Sequence, residues 1–430
     1  MKILFTYFPI LLIIAAMGPY VFASLGVKVD NLIIYPLAII VLATALLKKE
    51  VKINKSVLGI FVIWMLATIF MIVRTFIFGG QLSTYAFLAE IKNLTQPLAI
   101  VLLFLVVIIS KDREKATEVM RKTSFILIYL LCLNTTWIFL GFFINLDSIN
   151  QLFWGGEISV AANAVENGRF SGIFNQPIEA GIVYTIGLLV WLYLAEKKFM
   201  KINLKSVIYL LLLFVGGALT VSKVFVIAGV VMFFIGVLSV KIVRRRIIPI
   251  SIIFVLIGYP VYIYLTKTWT GLGYLFRFFD VNNYQSQGFL MLITAGRYGS
   301  DTSQQSDYFQ KIWETAPLLG EGLGSQRTYD SALFHFFSSG GLISLSMYII
   351  LLLIIARMVY ETYRYTGFNA ETKLFLGLFV LIIVGGLGAP ILTLNRSSIV
   401  IWVFVGLLLQ YLCVIKTQRI NDKNALSTQP

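Results

Sequence analysis

Two arginines, Arg169 and Arg297, stand in the two longest stretches of this chain that are too polar to lie in hydrocarbon. A guanidinium is a planar fork of donors that meets phosphate oxygens two at a time, and such charged contacts strengthen where water is scarce. Three more side chains with usable chemistry stand at or near polar breaks in otherwise apolar sequence: Lys223, Asp330 and the single histidine, His335. Lysine offers a compact positive charge; a carboxylate or an imidazole can take a proton from a hydroxyl. Cations set among aromatic side chains over a hydrophobic surface suit an anionic, lipid-linked substrate.

The elements that must position these residues are membrane spans. Of 430 residues, 59% are hydrophobic and 13% charged, far from the balance of a soluble domain. A bilayer core takes about 17–25 apolar residues to cross as a helix. Twelve such runs are legible, near 4–24, 31–47, 56–78, 94–110, 123–145, 178–195, 205–221, 224–240, 247–265, 333–356, 374–392 and 397–415. Two divisions rest on polar clusters, Thr220-Val221-Ser222-Lys223 and Thr393-Leu394-Asn395-Arg396. The expected fold is therefore an all-α polytopic integral membrane protein, a single membrane domain over residues 1–430.

Charge sets its orientation. With the N-terminus inside, the cytoplasmic segments collect most of the 35 basic residues and fewer than half of the 20 acidic ones. The net charge of +15 is thus an orientation signal at the inner face, and nucleic acid is not an expected partner. Both termini fall on the cytoplasmic side, with 416–430 as a polar tail. Met1 to Ser24 resembles a signal peptide, but its apolar stretch exceeds the usual core of about 7–15 residues and is kept as a span. Cys132 and Cys413 fall inside spans, so no outer-loop disulfide is expected.

Two outer, periplasmic loops are long, about 146–177 and about 266–332. The second carries Trp269, Tyr274, Phe276, Phe289, Tyr298, Tyr308, Phe309 and Trp313, too aromatic for a solvated linker. Within it, 303–315 has the period of an amphipathic helix, with Tyr308, Phe309, Ile312, Trp313 and Ala316 on one face and Pro317 as its stop. An interfacial belt accounts for most of these aromatics, and a few could stack on sugar rings. No nucleotide-phosphate loop, zinc spacing or Asp-x-Asp pair is present, and one histidine excludes a multi-histidine metal site. No cofactor is expected. A polyprenyl-diphosphate-linked sugar fits, because it is activated without a bound nucleotide and reaches the protein through the bilayer.

The segment Gly168-Arg169-Phe170-Ser171-Gly172-Ile173-Phe174-Asn175-Gln176-Pro177 resembles the O-antigen polymerase and ligase superfamily. Three more segments agree in the family's order. Leu219-Thr220-Val221-Ser222-Lys223 is similar to its Ser-Arg turn between two outward-meeting spans. Gly296-Arg297, then Trp313 and Pro317 to Gly324, is similar to its large outer loop. Asp330-Ser331, then nine intervening residues and Gly341-Leu342-Ile343, is similar to the entry to its next span. Together they cover roughly residues 165–345. Lys223 replaces the family's arginine, keeping the charge but losing the fork. Asp330 stands where ligases carry a histidine, which points to the O-antigen polymerase.

The resemblance implies a glycosyltransferase at the outer face of a bacterial inner membrane, with a polyprenyl-diphosphate-linked oligosaccharide as substrate. A chain-length-regulating partner protein is left open. Arg169 and Arg297, with Lys223, would hold the diphosphate as charge builds on it. The competing reading of the arginines is an ordinary ion pair with Glu166 or Asp301, and Lys223 could instead snorkel to headgroups. Asp330 would take the acceptor's proton, though Asp before an apolar span is also what a helix N-cap looks like. His335 is the other base and could equally be a packed core residue; Glu179 is a lesser one of the same kind. Ligase transfer to lipid A core and transport of an anionic lipid-linked substrate are the alternatives.

Overall fold

Backbone amides in hydrocarbon have no water to bond, so long apolar runs close their hydrogen bonds internally as helices. The fold comes from a computed structural model, which describes residues 2–23, 26–47, 54–78, 84–107, 109, 112–157, 159–240, 243–245, 304–324 and 331–427. In chain order the first helices are α1 Lys2–Ala16, α2 Val29–Leu47, α3 Lys55–Phe78, α4 Thr84–Val106 and α5 Arg113–Leu140. Two short ones, α6 Asp147–Trp154 and α7 Val160–Glu166, precede α8 Pro177–Glu196 and α9 Leu204–Leu219. A π-helical stretch, Phe225–Val230, runs into α10 Val231–Ser239. Then come α11 Gln304–Thr315, α12 Ala332–Thr366, α13 Ala370–Gly386 and α14 Asn395–Ser427. The only strands among the described residues, β1 Tyr20–Phe22 and β2 Val27–Lys28, pair as an antiparallel hairpin.

Local sequence explains many of these ends. Asp112 caps α5, the Asn203–Ser206 pair forms a reciprocal capping box on α9, Asn369 caps α13, and Pro177 opens α8. Among the described residues seven helical segments are long and apolar enough to cross a bilayer, namely Val29–Leu47, Val57–Ile77, Phe87–Val106, Arg113–Leu140, Pro177–Glu196, Ala332–Thr366 and Asn395–Arg419. Thr6–Ala16, Leu204–Leu219 and Phe225–Ser239 are shorter apolar helices. The protein is thus helical and, by these lengths and compositions, multi-pass.

Helix α8 and the Asn395–Ile415 part of α14 are buried on nearly every side and lie at the centre. Around α8 pack α5, α9, α13 and the π-helical stretch; around α14 pack α1, α3, α4, α5 and α12. Trp64 stands edge-on to both Trp402 and Phe336, joining α3, α14 and α12. The outward faces of the peripheral helices carry exposed Ile39, Leu47, Phe76 and Leu238, which an aqueous surface would not tolerate in such numbers. At one end of the bundle, Lys197 meets buried Glu371 at 2.7 Å and Lys373 meets Glu196 at 2.8 Å, a reciprocal lock between the end of α8 and the start of α13. Of the candidate residues, Arg169, Lys223 and His335 lie at the opposite end.

Several expected boundaries need correction. The first apolar run does not stay helical to its end, because α1 stops at Ala16 and Tyr20–Phe22 pairs with Val27–Lys28 as the hairpin. Pro19 is the reason: it lacks an amide proton and disfavours helical backbone at the residue before it. The run at 333–356 is one end of the longer α12, which breaks at Gly340 and Gly341. Gly341, at φ 60° and ψ −156°, occupies backbone space open only to glycine. The groups freed there find partners in the preceding segment, Leu342 N–H donating to the Pro317 carbonyl and Glu321 N–H to the Ser338 carbonyl. The run at 247–265, Arg297 and Asp330 lie outside the described residues.

Candidate functional site

Arg169 sits in a loop built almost wholly from satisfied backbone. Gly168 turns the chain at φ +68° after α7, and Arg169 N–H closes back on the Ala164 carbonyl at 2.9 Å. Phe170 N–H then donates to the Leu219 carbonyl at the end of α9, 2.8 Å away. The next four carbonyls are all taken: Ser171 O by Asn134 Nδ2, Gly172 O by Trp154 Nε1, Ile173 O by Arg396 and Phe174 O by the Ser171 hydroxyl. Gly172 combines φ +63° with a site where a β-carbon would fall 2.1 Å from Asn134 Oδ1, so no side chain fits. The half-buried Arg169 side chain is therefore presented from a rigid base.

That base is tied down by a buried ionic cluster which the sequence did not reveal. Arg396, fully buried near the start of α14, donates to the carbonyls of Ile173, Gly18 and Phe153, from three separate segments. Glu179, fully buried in the first turn of α8, accepts from Arg396 N–H at 2.5 Å and Ser397 N–H at 3.4 Å. A carboxylate thereby caps the positive end of α14. Lys28, just before α2, lies 3.4 Å from Asp30 and 3.5 Å from Asn395 Oδ1, and Lys92 of α4 donates to the Gly26 carbonyl at 2.8 Å. Burial pulls the Lys28 ammonium below its usual range, with Asp30 opposing.

Tyr20, whose ring lies under Lys28, accepts from Asn175 Nδ2 at 3.3 Å. Burial pushes its hydroxyl from 10 up to about 12, Arg396 opposing. A folded-state value above the unfolded one adds stability that is complete below pH 10 and lost as pH rises through about 12. Alkaline titration of purified protein should therefore show a steeper loss of thermal stability above pH 10 for the native chain than for Tyr20→Phe.

Lys223 follows a strained turn. Val221, a β-branched residue, is held at φ +49°, and buried Ser222 packs where a β-carbon on Gly181 would be only 2.5 Å away. The π-helical stretch begins two residues later, and both features are common at functional positions. The end of α13 gathers the neighbouring segments. β-carbons placed on Gly385, Gly386 and Gly388 would contact Val224, Ala332 and Ile178 at 3.7, 3.7 and 3.9 Å. The starts of the π-helical stretch, α12 and α8 therefore surround one helix end.

His335 belongs to the short half of α12 before its break. It is buried, and its Nε2 lies 3.5 Å from Glu90 Oε2 on α4. The N-cap of α12 is Ser331, whose hydroxyl accepts from Phe334 N–H at 3.0 Å, so the cap expected at Asp330 belongs to its neighbour. On α3, Arg74 donates to the Gly320 carbonyl at 2.6 Å and fixes the segment after α11. The amphipathic helix expected over 303–315 forms as Gln304–Thr315; Ile312 is its buried anchor, and Phe309 stacks on Phe337. Among the described residues no three His, Cys, Asp or Glu side chains gather as metal ligands would.

Of the expected site residues, the fold joins the segments of Arg169 and Lys223 through the Phe170–Leu219 hydrogen bond. His335 lies across the end of α13 from them and faces α4. Lys28, Asp30 and Arg396 were missed, and Glu179 is here a helix-capping carboxylate. A usable signal existed: four charges within three residues of a span's edge, all at the same end. Pairing partners 217 residues apart could not be read from it. The chain matches no model of a known protein family, and no curated protein is similar to it.

Proposed function

We propose that the protein is an O-antigen polymerase, a membrane glycosyltransferase that joins polyprenyl-diphosphate-linked oligosaccharides at the outer face of a bacterial inner membrane. In this reading the chain crosses twelve times, both termini are cytoplasmic, and the end of the bundle bearing Arg169 faces the periplasm. One contact supports it above the others. The two cation-bearing segments of the family resemblance, Gly168–Pro177 and Leu219–Lys223, lie far apart on the chain but are hydrogen-bonded neighbours. Arg169 and Lys223, joined by Arg297, hold the donor's diphosphate. Asp330 or His335 takes the proton from a hydroxyl of the second lipid-linked unit as its oxygen attacks the donor's anomeric carbon. The bond from that carbon to the diphosphate oxygen breaks, and polyprenyl diphosphate leaves with the electron pair. The resident cations stabilise the charge it gains.

Transport of an anionic lipid would also use buried charges and a broken helix. Against it, Asp30 is the second residue of α2, Glu179 the third of α8 and Arg396 the second of α14, so these charges border a mouth and do not line a path. Deleting the gene in its source organism tests the proposal by the surface glycan ladder. Lipid A core capped with a single repeat unit is the expected result, with long chains restored by the native gene. Bare core with accumulated lipid-linked polymer would mean a ligase, and repeat units trapped on the cytoplasmic side would mean a transporter.

A further inference from the structure

A pocket of about 390 Å³ opens beside the Arg169 loop, between the end of α5, residues 142–150 and residues 165–172. This is the size of a small-molecule site. Trp137, Phe142 and Phe170 supply aromatic faces, while Asn145, Asp147 and Asn150 supply polar groups. The walls are fixed by internal contacts. Phe142 stands edge-on to Phe170 at 4.9 Å, and Trp137 Nε1 donates to Asn150 Oδ1 at 2.9 Å. Asn145 Oδ1 accepts from Asp147 N–H at 2.9 Å. With their oxygens engaged, both asparagines keep amide hydrogens to donate, and the exposed Asp147 carboxylate can accept from two hydroxyls.

Among the described residues no lysine or arginine lines the pocket, which argues against a second seat for phosphate. An acyl chain would leave the Asn and Asp groups unused. A pyranose has the matching shape: a C–H face for the aromatic rings and a rim of hydroxyls for the amides and carboxylate. The carboxylate repels an acidic sugar. We propose that this pocket is the acceptor-sugar subsite and takes a neutral pyranose, an assignment of role that rests on the polymerase reading above. Phe170, which lines it, directly follows Arg169, so the sugar seat adjoins the proposed diphosphate seat.

The test uses full-length protein in phosphatidylcholine nanodiscs, which carry no sugar headgroups. Methyl glycosides of glucose, galactose, N-acetylglucosamine and glucuronic acid are titrated while tryptophan emission is followed, with Trp137→Phe as the signal control. At least one neutral glycoside should give a saturable change, weakened about tenfold or more in Phe142→Ala and in Asp147→Ala. Both positions are exposed, so these variants are expected to fold. The glucuronide should bind at least about tenfold more weakly than the best neutral glycoside. No saturable change with any neutral glycoside, equal binding of the glucuronide, or native-like binding by both variants would overturn the proposal. Intact chain extension in cells without glycoside binding sinks the pocket alone. Glycoside binding with no ladder defect on gene deletion keeps a sugar site and removes the polymerase reading.

Discussion

Arg396→Met should lower the unfolding free energy of the protein by about 3 kcal/mol or more, because three backbone carbonyls lose a charged donor worth about 1–3 kcal/mol each. The substitution keeps an unbranched apolar stem, so little volume is lost. What disappears is a set of donors that no neighbour can replace. The carbonyls of Gly18, Phe153 and Ile173 lose the guanidinium that joins the first hairpin, α6 and the Arg169 loop. Glu179 keeps its backbone donors from α14 but loses the attraction of the Arg396 cation while fully buried. The double variant Arg396→Met with Glu179→Gln should recover part of the loss, because the stranded carboxylate is then neutral. Thermal unfolding in detergent of the native chain, both single variants and the double variant completes the cycle. Additive losses would show that the two groups do not act together.

The second large effect is on chemistry. Arg169→Ala should reduce chain extension by about 10²–10³-fold while leaving the unfolding temperature near that of the native chain. The expected separation of activity from stability follows from the loop. Its shape is held by Gly172, Asn134, Trp154 and Arg396, and Arg169 contributes its backbone N–H to that framework whatever its side chain. Arg169→Lys should recover only part of the rate, since an ammonium keeps the charge but not the fork. Rates are read from extension of purified lipid-linked repeat units by protein in nanodiscs. An alanine variant that extends chains at the native rate would remove Arg169 from the proposed diphosphate site. One that fails only because it melts early would make its role structural.

What the amino-acid sequence determined by itself is the part of this protein set by short-range rules. Apolar runs of bilayer length become helices because each amide bonds within its own segment. Asp112, Asn203 and Asn369 cap their helices through neighbours two or three residues away, and α11 forms where its apolar period and Pro317 place it. The loop around Arg169 was also legible as a place of interest, because a polar stretch with glycines at both turns cannot lie in hydrocarbon.

Only the tertiary structure decided how these pieces meet. Ser331 instead of Asp330 caps α12, its backbone extended and its hydroxyl accepting from Phe334 N–H. The glycine pair at 340–341 was visible, but it breaks α12 because the segment after α11 is present to take up the exposed amides and carbonyl. Above all, contacts between Arg396 and Glu179 and between Lys28 and Asn395 build one cluster across 217 and 367 residues of sequence. A charge can be buried only where an opposite charge and enough donors and acceptors surround it. That condition belongs to three-dimensional neighbours and leaves no periodic mark along the chain.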